Sequence, residues 1–508
     1  MSINFMEALK NILTISNILL AAGGTFMGII FGALPGFTAA MGVAVLLPVT
    51  FGMPPASGLI LLGALFGGAM YGGAISAILV NTPGTPSAAA TTLDGHPMAA
   101  KGEAGKALRE AVFASFLGGI FGVTVLLLFA PPLARISLMF GPPEYFLLAI
   151  FGLTIIASIS EKSLIKGLLA GLLGLLISTI GMDPLLGTPR FTMGVVNLTD
   201  GVKLVPAMIG LFSIPETLNM ISSYFNDDSV NLVNMKEFRK IKIGFPSLSH
   251  IKRHALIYIK SSMIGTYVGM LPGAGGSIAS FMAYNEARRS SKHPEKFGTG
   301  ISEGVAAAES ANNAMASGAL IPMLTLGVPG DSVAAIIMGG LMVHGLEPGA
   351  QLFARNGDIA YTFILALYLA NIMMLLCGTY LAPYFTIATN TPKHILSVCV
   401  MMLTVIGSYA LRGNIFDVYV MITFGFIGYI LKCHGFSVIP IVLGIILGPI
   451  AEKGLNGTLL ISRGENLLLF LLSRPISLIL ITLTLVSVGV PLYRTITGKG
   501  KKVAESTE

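Results

Sequence analysis

Long apolar runs, separated by short polar breaks, occupy most of the chain. Runs near 16–34, 57–81, 110–130, 145–181, 203–221, 255–281, 314–343, 360–387, 394–411, 415–433 and 466–491 reach about the 20 apolar residues that a bilayer-crossing helix needs. The 145–181 run is long enough for a hairpin of two helices. Shorter pieces at 40–52 and 437–450 are too brief to cross alone and predict re-entrant or half-spanning segments. None of these runs alternates polar with apolar residues as a membrane strand does. The pattern predicts an all-α polytopic membrane protein with about 12 transmembrane helices.

One long polar stretch, 222–254, divides the chain nearly in half and carries Lys236, Arg239, Lys240, Lys242, Lys252 and Arg253. The expected organisation is a first membrane half (1–221), a basic linker (222–254), a second membrane half (255–493) and a basic tail (494–508). Basic loops gather on the cytoplasmic side, which places the linker and the tail with Arg494, Lys499, Lys501 and Lys502 there. The two halves resemble each other. LPGF at 34–37 returns as LPGA at 271–274, and YGGAISAILVNTPG at 71–84 returns as ASGALIPMLTLGVPG at 316–330. Two correspondences in the same order predict an internal duplication.

Composition removes most other classes. The chain is 54% hydrophobic and 11% charged, against about 25% charged in soluble proteins. Its mean hydropathy is +0.82. A soluble enzyme, a disordered scaffold and a nucleic-acid module are excluded, and a lipid bilayer is the implied solvent. The net charge of +7 is what basic loops produce and implies no nucleic-acid partner. Cys377, Cys399 and Cys433 form no CxxC pair and predict packing only. Lys10 precedes the first apolar run without a clean cleavage site, which predicts a first span that also directs insertion.

Four Pro-Gly pairs lie inside or beside apolar runs, at 35–36, 83–84, 272–273 and 329–330. Proline removes a backbone donor and glycine relaxes the backbone, so each pair predicts a broken helix. Secondary transporters use broken helices in paired repeats to present helix ends to a solute. The candidate substrate contacts are therefore Asn81, Pro83, Gly84, Thr85 and Ser87 at one break. Gly273, Gly275, Gly276 and Ser277 follow another, and Pro329, Gly330 and Ser332 lie at the last. Free N–H groups and positive dipole ends there favour an anion, a carboxylate above all. Asp331 is costly at membrane depth unless paired, protonated or bound to a cation. Glu309, Asn312 and Asn313 fall at i, i+3 and i+4 on one helix face; with Asp331 they are the candidate coupling-ion ligands, since hard cations prefer oxygen. Asn81 is the expected first-half counterpart of that polar face. Helix capping and polar helix packing are the competing readings of the same residues.

Catalytic signatures are missing. The seven histidines show no HExxH motif and no close pair, and no GxxxxGK[ST] loop is present, so neither ATP hydrolysis nor another enzymatic function is expected. No cofactor and no dedicated metal site is predicted.

Several long stretches resemble one family. LPGFTAAMG, YGGAISAILVNTPG, TLDGHPMAAKGEAGKAL (92–108), GMDPLLGTPRFTMG (181–194), DGVKLVPAMIGLFSIPE (200–216), MLPGAGGSIASFMAY (270–284), FGTGISEGVAAAESANNA (297–314) and GSYALRGNIFDV (407–418) are similar, in order, to the large membrane subunit of tripartite tricarboxylate transporters, the TctA family. The resemblance implies a multi-pass permease of the bacterial cytoplasmic membrane. It implies a small TctB-like membrane subunit, a periplasmic TctC-like binding protein, and uptake of an organic carboxylate driven by an ion gradient. Sodium is the implied coupling ion, with protons as the alternative. Ala308 and Asp331 depart from the family pattern, which has proline and serine there, so citrate is not assumed. The rival reading is a self-sufficient ion-coupled carboxylate symporter that needs no binding protein.

Overall fold

The computed structural model describes residues 2–159, 164–226, 243–382, 384–385 and 391–496. About half of the basic linker (227–242) and most of the basic tail (497–508) lie outside the described residues. Among the described residues the chain forms twenty α-helices and one two-stranded hairpin.

In chain order the helices are α1 (Ser2–Ile12), α2 (Ile15–Ala33), α3 (Ala39–Leu46), α4 (Pro55–Val80), α5 (Ala89–Ala100), α6 (Ala104–Ser137) and α7 (Pro142–Ile159). They continue with α8 (Leu164–Ser178), α9 (Leu204–Asn226), α10 (Leu248–Met270), α11 (Gly275–Ser290), α12 (Ser302–Leu326), α13 (Ser332–Val343) and α14 (Ala350–Arg355). The last are α15 (Gly357–Tyr380), α16 (Lys393–Ala410), α17 (Ile415–Cys433), α18 (Ile439–Ser462), α19 (Leu467–Leu472) and α20 (Pro475–Ile496). Seven are long and apolar enough to cross a membrane: α2, α4, α6, α9, α15, α17 and α18. Six shorter apolar helical stretches accompany them. The all-α polytopic architecture is as the sequence predicts.

Besides the 466–491 run, which breaks between α19, ending at Leu472, and α20, starting at Pro475, three boundaries differ from expectation. The 255–281 run is split: α10 begins seven residues earlier, at Leu248, and ends at Met270 before Pro272. The 314–343 run is likewise split, and α12 begins at Ser302. The 437–450 piece is not a half-span but the start of α18, which runs through Glu452 and Lys453 to Ser462. In each case polar residues continue a helix. Ser302 onward is packed among protein, and Gly454 of α18 lies against the α7 backbone. Hydropathy registers contact with lipid, whereas helicity needs only satisfied backbone groups.

The helices gather into two compact units, each drawing segments from both sequence halves. One contains Met1–Arg135 and Phe212–Val418, the other Ile136–Leu211 and Tyr419–Glu508. In the first, α2 packs along α4 and α10 packs along α12. Gly24, Gly28 and Gly32, spaced four apart, set one face of α2 against the α4 backbone at Leu61, Leu65 and Ala69. Gly265 and Gly269 do the same for α10 at Ala311 and Met315 of α12. Small residues permit such backbone contact, which is how helices gain packing energy in lipid.

In the second unit α18 packs against α7 and α8, and α20 against α7. Glu144 of α7 is paired with Arg474, at 2.6 Å, and accepts from Ser477 at 2.8 Å. The GMDPLLGTPR stretch forms the hairpin, in which Gly181 pairs with Arg190. Asp183 Oδ1 accepts the N–H groups of Leu185 and Leu186 at 2.8 and 2.9 Å. Those donors, Leu186 first, hold its carboxyl below the usual carboxylate range, and the Arg190 charge adds to them. Arg190 also bonds Glu452 of α18, at 2.6 Å.

Candidate functional site

All four Pro-Gly pairs break a helix, and the breaks repeat between the halves. Leu34 and Leu271 both turn extended (ψ 116° and 114°). Gly36 and Gly273 then take φ of 83° and 84°, a left-handed conformation that glycine adopts without strain. At the second pair, Asn81 and Gly327 end α4 and α12 in the left-handed region. Gly84 donates to the Gly73 carbonyl at 3.4 Å, and Gly330 donates to the Ala319 carbonyl at 3.2 Å. A methyl group at Gly84 would meet the Gly32 oxygen, and one at Gly330 the Gly269 oxygen. The counterpart of Asn81 is therefore Gly327 and not, as expected, the polar face of α12. Asn81 is exposed.

The short helices after the breaks pair across the halves. Those following the second and third breaks meet, as α11 packs against α5 and the turn Pro86–Ala88 before it. Those following the first and fourth also meet, as α13 packs against α3. The pairs differ in their caps. Thr38 accepts from Met41 N–H at 3.2 Å, and Asp331 accepts from Ala334 N–H at 2.8 Å; α3 and α13 are thus capped by side chains. No side-chain bond caps α11 or the Thr85–Ala88 turn. Thr85 is instead bonded to Ser87, 3.0 Å between their hydroxyl oxygens.

Around this uncapped pair the structure brings together Thr85, Ser87, Gly276 and Asn312. A Cβ built at Gly276 would fall 2.5 Å from Ser87 Cβ and 3.1 Å from Asn312 Oδ1. Asn312 donates to the Met70 carbonyl at 3.2 Å, leaving its Oδ1 buried without a partner; Asn313 Nδ2 is likewise buried and unpaired. Gly275 and Ser277 lie in the first turn of α11 and are half-buried. Pro83 is half-buried beside Gly84. The Gly273 N–H is already committed to the Gly330 carbonyl, at 2.7 Å. Pro329, Gly330 and Ser332 belong with Asp331 to the capped pair. The substrate candidates thus fall into two groups.

Glu309 is fully buried and accepts from Thr91 at 2.5 Å and from Ser115 at 2.9 Å. No salt bridge joins it among the described residues. A buried carboxylate held by neutral groups alone needs a proton or a cation.

Sequence reading missed two constellations. Asp94 is buried, and its Oδ1 accepts the N–H groups of Gly298, Gly300 and Ile301 at 2.8–3.0 Å, while Tyr284 donates to Oδ2 at 2.8 Å. The glycine-rich GTGIS turn therefore cradles an internal carboxylate. The second constellation corrects the expectation of no close histidine pair. Because α10 begins at Leu248, His250 and His254 stand one turn apart with ring centroids 4.2 Å from each other, beside Glu110. Their i, i+4 spacing was the available signal.

The sequence profile described as "Tripartite tricarboxylate transporter TctA family" matches residues 18–443. The chain belongs to the TctA family. A protein of Agrobacterium vitis, described as "Uncharacterized 52.8 kDa protein in TAR-I ttuC' 3'region", is 35% identical over 500 residues, covering 98% of each chain. A shorter Agrobacterium vitis protein, "Uncharacterized protein in TAR-II ttuC' 3'region", is 35% identical over 239 residues, 47% of this chain and 98% of its own. No solved structure matches. TctA proteins are transporter subunits, not a family of enzymes, and the family sets this chain among the other subunits of a tripartite system.

Proposed function

We propose that this TctA-family chain is the permease subunit through which an organic carboxylate, a tricarboxylate or a smaller acid, enters a bacterial cell across the inner membrane. The observation that carries the reading is the meeting of two helix starts without side-chain caps, at α11 and at the turn before α5. Free N–H groups and two positive dipole ends directed at one place favour a carboxylate. Ser87 and Asn312 supply neutral polar contacts there. The capped pair, by contrast, already holds a carboxylate, that of Asp331.

In this reading a periplasmic TctC-like binding protein delivers the solute and a small TctB-like membrane subunit completes the permease. An ion gradient drives uptake, with Na+ as the coupling ion and H+ as the alternative. Glu309 supplies the charge, and Asn312 and Asn313 supply amide oxygens, in keeping with the preference of hard cations for oxygen. The basic linker and tail face the cytoplasm.

The test is uptake of a labelled carboxylate panel by proteoliposomes holding this chain and its small partner. Each solute is offered with and without the binding protein, and with and without an inward Na+ gradient. Uptake that needs both is the expected result and names the substrate. Gradient-driven uptake without the binding protein supports a self-sufficient symporter instead. Glu309→Gln keeps an acceptor for Thr91 or Ser115 but removes the charge. Gradient-driven uptake is expected to fall at least about tenfold, the range seen when a metal-site partner is lost.

A further inference from the structure

We infer that Glu110, His250 and His254, with Glu303 beside them, form a binding site for a divalent transition-metal ion of the zinc class. The site is separate from the uncapped helix starts, and the inference does not rest on what the chain transports.

The local sequence builds the site. Ser247 accepts from His250 N–H at 3.3 Å and starts α10 just ahead of the histidines. Residues four apart on a helix stack on one face, so the imidazoles of His250 and His254 lie together, as in the helical HxxxH half of zinc-binding motifs. Glu110 enters from α6, with Oε2 2.5 Å from His250 Nε2. Tyr258, one turn beyond His254, donates to the other oxygen of Glu110 at 2.6 Å. One ligand atom from each of Glu110, His250 and His254 lies within 4.8 Å of the others.

His254 gives the independent pointer to a ligand. It is 3% exposed, and neither of its ring nitrogens makes a hydrogen bond. The facing carboxylate, Glu303 of α12, stops 3.6 Å short of its Nε2. A buried imidazole that meets a carboxylate only at 3.6 Å and makes no hydrogen bond recovers little of the solvation it loses, and a metal ion would use its lone pair. Two imidazoles with one or two carboxylates suit Zn2+, Co2+ or Ni2+, whereas Na+, Mg2+ and Ca2+ select all-oxygen shells. Ligand atoms about 2.1 Å from a tetrahedral zinc stand about 3.4 Å apart, so on binding the more widely spaced ligand atoms, now within 4.8 Å of one another, close in, while Glu110 Oε2 and His250 Nε2, now 2.5 Å apart, part to admit the ion. The Tyr258 bond to Glu110 is the kind of outer contact that fixes a ligating carboxylate. Access is provided by a cleft of about 430 Å³ lined by Glu103, Lys106, Glu110, His250 and Ser302 among others. Lys106 is already paired with Glu103, three residues before it in the same wall, and Arg109 adds a positive charge that the two acidic ligands offset. The bound ion would tie α6, α10 and α12 together.

The full chain, purified in detergent through a histidine-free tag and stripped of metal, is titrated with Co2+ alone. The expected result is one ion per chain, with the visible bands of a tetrahedral cobalt centre that Zn2+ abolishes, and a higher melting temperature in either metal. His250→Gln and His254→Gln should each weaken binding at least about tenfold, and Tyr258→Phe about tenfold. His293→Gln, at an exposed residue outside the cluster, should change nothing. The absence of cobalt bands, or bands that persist in the His250→Gln, His254→Gln double variant, would overturn the assignment. Should those variants fold poorly, zinc-edge absorption on the wild-type chain decides: a shell containing two imidazoles supports the site, and a shell without imidazole overturns it.

Discussion

A methyl group added at Gly330 would meet the carbonyl oxygen of Gly269, and one at Gly84 would meet that of Gly32. Backbone oxygen cannot swing aside as a side-chain tip does, so either substitution must push apart two packed elements. Gly330→Ala and Gly84→Ala are each expected to destabilise the chain by about 1–3 kcal/mol, and by similar amounts, because the breaks repeat one geometry. Gly67 lies within α4 with nothing inside 4 Å of its added methyl, and Gly67→Ala is expected to be neutral or to stabilise by up to about 1 kcal/mol. Melting temperatures of the three variants in one detergent check this. A Gly330→Ala variant as stable as the Gly67→Ala variant would remove the close backbone approach from the account. The Pro-Gly pairs were legible in the sequence, but the glycines of α2 and α10 on which they close were not, since nothing local marks what a helix face will touch.

Elements divide by whether their determinants are local. One helix start was legible: Asp331 stands directly after a Pro-Gly pair and caps the helix that follows, as Thr38, one residue further on from its own pair, caps α3. Thr85 occupies the position equivalent to Asp331 yet bonds Ser87 instead, because Pro86 and a short turn intervene before α5. Helix extents were legible only where lipid-facing apolar surface continued, which is why α18 outran its apolar run and α12 began before its own. The shared face predicted for Glu309, Asn312 and Asn313 is a helix property and stands. Where each side chain goes was decided by Thr91, Ser115 and Met70 on other helices. Asp331 belongs to this scale because its role depends on α13. Asn also caps helices well, so Asp331→Asn keeps the cap and removes the charge. Its melting temperature should stay close to wild type, while Asp331→Ala loses about 1 kcal/mol with the cap. If Asp331 also holds the coupling ion, Asp331→Asn uptake loses ion dependence. Unchanged ion dependence in a stable Asp331→Asn protein leaves Asp331 as a cap and no more.

For the whole molecule the question is how many times the chain crosses. After the linker there are five unbroken apolar helices, α15, α16, α17, α18 and α20, and two broken pairs, α10–α11 and α12–α13. The orientation proposed above puts the basic linker and the basic tail on one side, the cytoplasmic one. Two ends on one side require an even number of crossings between them. If each unbroken helix crosses once, the count is odd, and one broken pair, but not both, must add a crossing. The packing indicates which. α11 packs closely against α10, as a returning hairpin must, whereas α13 touches α12 much less. The expected path is therefore a re-entrant α10–α11 and a crossing α12–α13. Single cysteines at Ser229 and Ser506, in a chain whose Cys377, Cys399 and Cys433 are replaced by serine, report the two ends to an impermeant maleimide. Neither should react in intact cells, and both should react after permeabilisation. A third cysteine at His293, in the turn after α11, should label from the cytoplasmic side if the hairpin returns and from the outside if it crosses. Outside labelling there, with both ends inside, transfers the crossing from α12–α13 to α10–α11.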